Sequence, residues 1–191
     1  MKIIALTTPK IINEDAYIIK RLLDIGIDII HLRKPASEVS ECRKLLTSLS
    51  AEQRRRIIIH DHHELYYDFS LKGIHINSHT PTPPVGYDGF KTRSCHSLEE
   101  VARYKDDYDY LFISPIFDSI SKIGYRSGFD DEALHRASKC GIIDEKVVAL
   151  GGVTLDKIAY LRGLNFGGAA MMGAIYDIEA VDSLTDIATY K

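Results

Sequence analysis

The sequence predicts an α/β chain folded as one closed (β/α)8 barrel, the TIM-barrel architecture, over residues 1–191. Three observations lead there. Short β-branched runs recur eight times: KIIALT (2–7), DIIHLR (28–33), RIIIHD (56–61), GIHIN (73–77), TRSCH (92–96), YLFISP (110–115), KVVALG (146–151) and GAAMMG (168–173). Most are followed by amphipathic, helix-like stretches, among them EDAYIIKRLLDIG, SEVSECRKLLTSLS, SLEEVARYK, DEALHRASKCG and TLDKIAYLRGLN. The strands are nearly continuous in apolar residues rather than alternating, the pattern of a parallel sheet covered by helices. Eight such units match the closed barrel, with a doubly wound open sheet as the alternative.

Individual boundaries have local causes. Ser97 before LEE and Thr154 after the glycine pair are expected helix N-caps, followed by acidic residues that suit the helix dipole. The connection after strand four, NSHTPTPPVGYDGF, is rich in Pro and Gly, so the barrel is expected to be compact there, with its helix missing or reduced. IFDSISKIGYRSGF (116–129) is the longest non-periodic loop, which suggests a lid or binding loop after strand six.

Composition narrows function. With 45% hydrophobic and 27% charged residues and a net charge of -3, the chain is an ordinary soluble type, without the basic surplus that nucleic-acid binding exploits. No apolar run approaches the ~20 residues that span a bilayer, and MKIIALTTPK lacks a secretory core and cleavage site, so a cytoplasmic location is expected. Cys42, Cys95 and Cys140 fit neither a disulfide framework nor a zinc ligand set and are expected to be reduced and mostly buried. The sequence does not specify an oligomeric state.

In such barrels the site lies at the carboxyl ends of the strands. The expected strand ends carry Arg33, Asp61, Asn77, Ser94 with His96, Ser114, Gly151 with Gly152, and Gly173. The clearest binding signal is ALGGVT followed by FGGAAMMGAI. Each sets glycine between a strand and an expected helix start, so bare amides from two adjacent loops can face one phosphate. The plainer alternative is that Gly151 and Gly152 only permit a tight turn. The run RIIIHDHHELYYD places His60 and His62 on either side of Asp61. On an extended strand they point away from the aspartate, which disfavours a zinc site shared with it. His62 and His63 read as loop residues, and His75 as a satisfied core residue.

HLRKP, IIIHD, GIHIN, SCHSLEE, SPIFDSISK, and ALGGV followed by GGAAMMGAI together resemble the thiamine-phosphate synthase and TenI-like tautomerase superfamily, a set of (β/α)8 barrels, over nearly the whole chain. The resemblance implies a transferase of thiamine biosynthesis that joins an aminopyrimidine methyl diphosphate to hydroxyethylthiazole phosphate with loss of pyrophosphate. It implies that Arg33 binds the diphosphate, that Lys122 is the lysine of the loop after strand six, and that Ser94 helps hold the pyrimidine diphosphate. Ser119 and Ser121 stand for two threonines of that loop, Gly152 for a phosphate-binding glycine, and Met172 and Gly173 for the backbone pair closing that pocket. Asp61 matches the first Mg²⁺-binding aspartate.

Several positions depart from the family pattern. His31 replaces a glutamine and His60 an asparagine, both at substrate-binding positions. Pro35 replaces a second basic residue, for which Lys34 is the candidate substitute. Thr80 replaces the second Mg²⁺-binding aspartate, so metal binding is expected to be weaker or differently arranged. A tautomerase is the main alternative, supported by His31 and RSCHSLEE but opposed by Pro115, where that branch carries a histidine. A non-catalytic phosphate-binding relative is the third.

Overall fold

Eight strands pair in parallel and in sequence order, and the first closes onto the last: Lys2–Leu6 (β1), Ile29–Leu32 (β2), Ile57–Ile59 (β3), Gly73–Ile76 (β4), Phe90–Cys95 (β5), Tyr110–Ile113 (β6), Val147–Leu150 (β7) and Gly168–Met171 (β8). This computed structural model describes residues 1–118, 128–185 and 187–190. Strands this short need helices over them, because all but β5 are buried on both faces over most of their length. The helices are Asp15–Asp24 (α1), Val39–Thr47 (α2), Ala51–Arg54 (α3), Leu65–Phe69 (α4), Leu98–Tyr104 (α5), Asp131–Lys139 (α6), Ile158–Gly163 (α7) and Ile178–Ser183 (α8). Strands β4 and β5 are joined by 77–89 without a helix, as the Pro and Gly content implies.

Side-chain alternation sorts every strand into two cores. Ile3, Ala5, Ile30, Leu32, Ile57, Ile59, Ile74, Ile76, Leu111, Ile113, Val147 and Ala149 face outward into the layer shared with the helices. Ile4, Leu6, Ile29, Ile58, Tyr110, Phe112, Val148 and Ala170 fill the barrel interior. By this parity Ile29 and His31 point inward on β2, and Ile58 and His60 at β3.

Helix ends match some expectations and correct others. Ser97 caps α5 by accepting from the Glu100 amide at 3.2 Å, and Asp130 caps α6 through the Ala133 amide at 2.6 Å. Thr154 does not cap with its side chain; a 3-10 turn, Leu155–Lys157, intervenes before α7. After β8 no helix begins at Gly173. Instead the Ile175 and Tyr176 amides both bond back to the Met172 carbonyl, and α8 starts at Ile178 with Asp177 as its cap.

Two of the three cysteines are buried, while Cys140 is exposed. Burial pushes the Cys95 thiol up to about 12, consistent with packing rather than nucleophilic use.

Gly73 shows how tightly the wall is drawn: a Cβ there meets the Phe90 carbonyl oxygen of the neighbouring strand at 2.1 Å. Gly73→Ala is therefore expected to destabilise the barrel by roughly 1–3 kcal/mol, read as a lower midpoint in guanidinium unfolding with an unchanged slope.

Candidate active site at the carboxyl rim

All eight strands run in one direction, so the residues that follow them gather at one rim. Arg33 continues the inward parity of β2 one step beyond the strand, and its backbone is fixed from both sides. Its amide donates to Thr7 Oγ1 and its carbonyl accepts from the same hydroxyl, each at 3.0 Å. Ser94, on the inward parity of β5, is half-buried; its hydroxyl meets His75 Nε2 at 2.8 Å, and Thr92 Oγ1 meets Nδ1 of the same ring at 2.7 Å. Asp61 is half-buried at the end of β3, and its carboxylate accepts the Lys34 amide at 2.9 Å.

Beneath this rim the interior is polar. His31 (β2), His60 (after β3) and His75 (β4) are 0%, 3% and 0% exposed. His31 Nδ1 lies 2.7 Å from His60 Nε2, His31 Nε2 is hydrogen-bonded to the Tyr110 hydroxyl, and the His60 and His75 rings stack at 4.0 Å. Burial holds all three imidazoles below the usual histidine range, His75 at about 3. The nearby Arg33 guanidinium adds to the effect on His60 and His75. His31 and His60 were expected to touch substrate from the rim; the alternation that points them inward instead encloses them below it. His75 is a satisfied core residue, as expected.

Lys34 also corrects an expectation. Its ammonium does not serve as a second anion clamp. It is 1% exposed, paired with Asp15 at 2.7 Å and bonded to the Lys10 carbonyl at 2.8 Å, and Asp15 in turn accepts from the Tyr176 hydroxyl at 2.6 Å. The outward parity of position 34 carries the side chain toward α1. What Lys34 gives the rim is its backbone amide, on Asp61.

The glycine turn has two causes. Gly151 and Gly152 have φ of 90° and 63°, in the left-handed region. A Cβ on Gly152 meets the Asp118 carbonyl oxygen at 2.3 Å, so the loop after β6 lies directly against it. Tight-turn geometry thus accounts for the glycines by itself. The amides of Gly152, Val153, Gly173 and Ala174 nevertheless donate to no backbone acceptor among the described residues, and Lys157, unremarked in the sequence, brings its ammonium to the Gly152 carbonyl at 2.7 Å. Ser119, Ser121 and Lys122 lie outside the described residues. The loop 116–129 is described only at its two ends.

Two oxygen donors here suit a hard cation. Asp61 offers a carboxylate after β3, and Thr80, in the adjacent loop after β4, holds a buried hydroxyl oxygen with no partner among the described residues. Oxygen donors of this kind fit a Mg²⁺ ion that completes its shell with water and substrate oxygens.

The three imidazoles make stability depend on pH. His31 and His75 have folded pKa values below the unfolded value of about 6.5, so below that pH the unfolded chain binds protons the folded chain refuses. Stability should therefore be full above about pH 6.5 and fall as pH drops toward 3, by on the order of 1 kcal/mol per pH unit for each ring. Guanidinium midpoints at pH 7.5 and 5.5 check this, and His75→Gln should flatten the dependence.

Comparison with known proteins identifies the family of the chain. The family model described as thiamine monophosphate synthase matches residues 3–175. A crystal structure of thiamine phosphate pyrophosphorylase from Bacteroides thetaiotaomicron superposes with a TM-score of 0.88 at 37% identity, covering 100% of this chain and 97% of that one. The thiamine-phosphate synthase of Mannheimia succiniciproducens is 25% identical over 173 residues, 83% of this chain and 78% of that protein. That of Limosilactobacillus reuteri is 25% identical over 129 residues, 63% of this chain and only 59% of that protein. The chain belongs to the thiamine monophosphate synthase family.

Proposed function

We propose that this chain is a thiamine-phosphate synthase, a transferase that joins 4-amino-2-methyl-5-(diphosphooxymethyl)pyrimidine to hydroxyethylthiazole phosphate and releases pyrophosphate. The observation that carries the reading is the meeting, at one rim, of a cation (Arg33), a carboxylate (Asp61), an inward hydroxyl (Ser94) and, at the ends of β7 and β8, amides that donate to no backbone acceptor among the described residues. In the reaction the bond from the pyrimidine methylene carbon to the diphosphate oxygen breaks, the electron pair leaves with pyrophosphate, and the thiazole nitrogen forms the new bond to that carbon. Positive charge grows on the electron-rich pyrimidine and negative charge on the leaving group, so catalysis consists largely of holding anions in place.

Arg33 would grip the diphosphate, with Lys122 reaching it from the loop after β6 and Ser94 orienting it. Gly152, Met172 and Gly173 would offer backbone amides to the thiazole phosphate, joined by the hydroxyls of Ser119 and Ser121. Asp61 would hold Mg²⁺, which when bound neutralises the leaving group. Lys34 enters only through its amide on Asp61. His31 and His60 act as floor, not as direct contacts, given their enclosure. The same enclosure weakens the tautomerase reading, since His31, one of the residues that favoured it, is shut below the rim and Pro115 stands after β6. Among the described residues no helix is long and apolar enough to cross a membrane. The reading takes the reaction as cytoplasmic, since charged, phosphorylated substrates do not cross a membrane unaided, and expects a single barrel domain and no nucleic-acid partner.

Purified protein given both substrates and Mg²⁺ should form thiamine phosphate and pyrophosphate in equal amounts. Arg33→Ala and Lys122→Ala should lower kcat by at least about 100-fold, the scale of lost electrostatic stabilisation, whereas Gly173→Val should chiefly raise KM for the thiazole phosphate. No product, together with conversion of a thiazole carboxylate phosphate tautomer, would replace this reading with the isomerase one. Neither activity, with phosphate binding retained, would leave a non-catalytic relative.

A further inference from the structure

Three strands in succession, β2, β3 and β4, each deliver one histidine to the same level of the barrel interior, directly under the mouth. One ring nitrogen from each of His31, His60 and His75 falls within 4.8 Å of the others. We propose that these three imidazoles form a binding site for a divalent transition ion of the zinc class, separate from the Mg²⁺ position at Asp61.

The argument is one of donor type, orientation and approach. Three nitrogen donors without a carboxylate suit a borderline ion and not Mg²⁺, which takes oxygen. A metal-bound histidine is normally held by a hydrogen bond on its other nitrogen. That bond is already made twice. The Tyr110 hydroxyl takes His31 Nε2 and leaves Nδ1 turned toward His60, while Thr92 Oγ1 takes His75 Nδ1 at 2.7 Å. His31 Nδ1 and His60 Nε2, 2.7 Å apart, share one proton in the metal-free state. In two neutral rings that proton is not expelled on ligation but moves to the far nitrogen of the ring that carries it, which leaves a lone pair of each ring facing the ion.

Ligand nitrogens around tetrahedral zinc sit roughly 3.3 Å apart, from Zn–N bonds of about 2.0–2.1 Å. The 2.7 Å pair must therefore open slightly, the widest pair close by up to about 1.5 Å, and the His60 and His75 rings, stacked at 22°, turn out of parallel so that both lone pairs meet one ion. The Ser94 hydroxyl, 2.8 Å from His75 Nε2, lies on the side of the mouth. It marks where a fourth ligand, water or a substrate oxygen, would enter. Three protein nitrogens plus one open position is the pattern of zinc sites that keep exchangeable chemistry.

The inference does not depend on the synthase reading, and its test reads metal binding alone. Metal-stripped full-length protein is titrated with Co²⁺ and then Zn²⁺ without substrates. One equivalent per chain is expected, with the strong visible absorption of four-coordinate cobalt, bleached when zinc displaces it. His31→Asn and His75→Asn should each weaken binding at least about 100-fold, and Thr92→Val about 10- to 100-fold, the usual effect of losing an orienting partner. Asp61→Asn and the surface change His79→Asn should leave it unaltered. Weak, octahedral-type cobalt absorption that disappears in Asp61→Asn, or binding equal in wild type and His75→Asn, would overturn the proposal. Should the buried variants fail to fold, X-ray absorption of the zinc-loaded wild type decides: three imidazoles around zinc support the site, and fewer contradict it.

Discussion

Closure of eight parallel strands removes every free edge of the sheet, and with it any freedom in which residue of each strand points inward. A slip of one residue on β2 would send Ile30 and Leu32 into the barrel and expel His31 into the apolar layer beneath the helices, so the register Leu6↔His31 and His31↔Ile58 is specified by the two cores together. The interior narrows from the aliphatic residues Ile4, Ile29, Ile58 and Val148 to a polar level of His31, His60, His75 and Thr92. Burying four polar side chains is tolerated because they bond to one another, to Tyr110 and to Ser94. The rim chemistry stands on that level. Arg33 and Ser94 are the next inward residues above it.

A second buried arrangement steadies the rim from outside. The Lys34–Asp15 pair, sealed by Tyr176, joins the loops after β1, β2 and β8 through α1. A pair this deep contributes little net stability, but losing one partner leaves an uncompensated charge. Its effect on the site is positional. With the Lys34 side chain anchored on the helix side, its amide is held on the Asp61 carboxylate, which fixes the place of that group at the end of β3. The fold and the proposed cation group are therefore coupled through one residue whose charge is spent on Asp15.

Much of this was legible in the sequence. The eight strands were, because parallel strands buried on both faces read as continuous apolar runs. Their carboxyl ends were set one or two residues too far: Arg33, Asp61 and Gly151 belong to the rim, beyond the last ladder residues Leu32, Ile59 and Leu150. The helix expected after Gly173 failed for a local reason. Small residues such as Gly173 and Ala174 read equally well as a helix start or as the turn that closes on the Met172 carbonyl. The fate of Lys34 depended on Asp15, 19 positions away, and could not be seen locally.

The imidazole cluster did leave a trace. His31, His60 and His75 occupy equivalent places near the ends of three consecutive strands, HLR, HD and HIN, always after an isoleucine. Only the closed register converts that repetition into contact. The neighbourhood of Asp61 in sequence drew attention to His62 instead, which adopts a left-handed φ of 57° and turns its ring to the Ser37 carbonyl.

The account's central claim is that one rim grips an anionic group from each substrate. A crystal structure of the protein with pyrophosphate, Mg²⁺ and hydroxyethylthiazole phosphate tests it most directly. Pyrophosphate between Arg33 and Ser94 with the ion on Asp61, and the thiazole phosphate on the amides of Gly152 and Gly173, is the expected result. Both anions lodged in the groove at the opposite end of the barrel, beside Lys2 and Arg162, would contradict it.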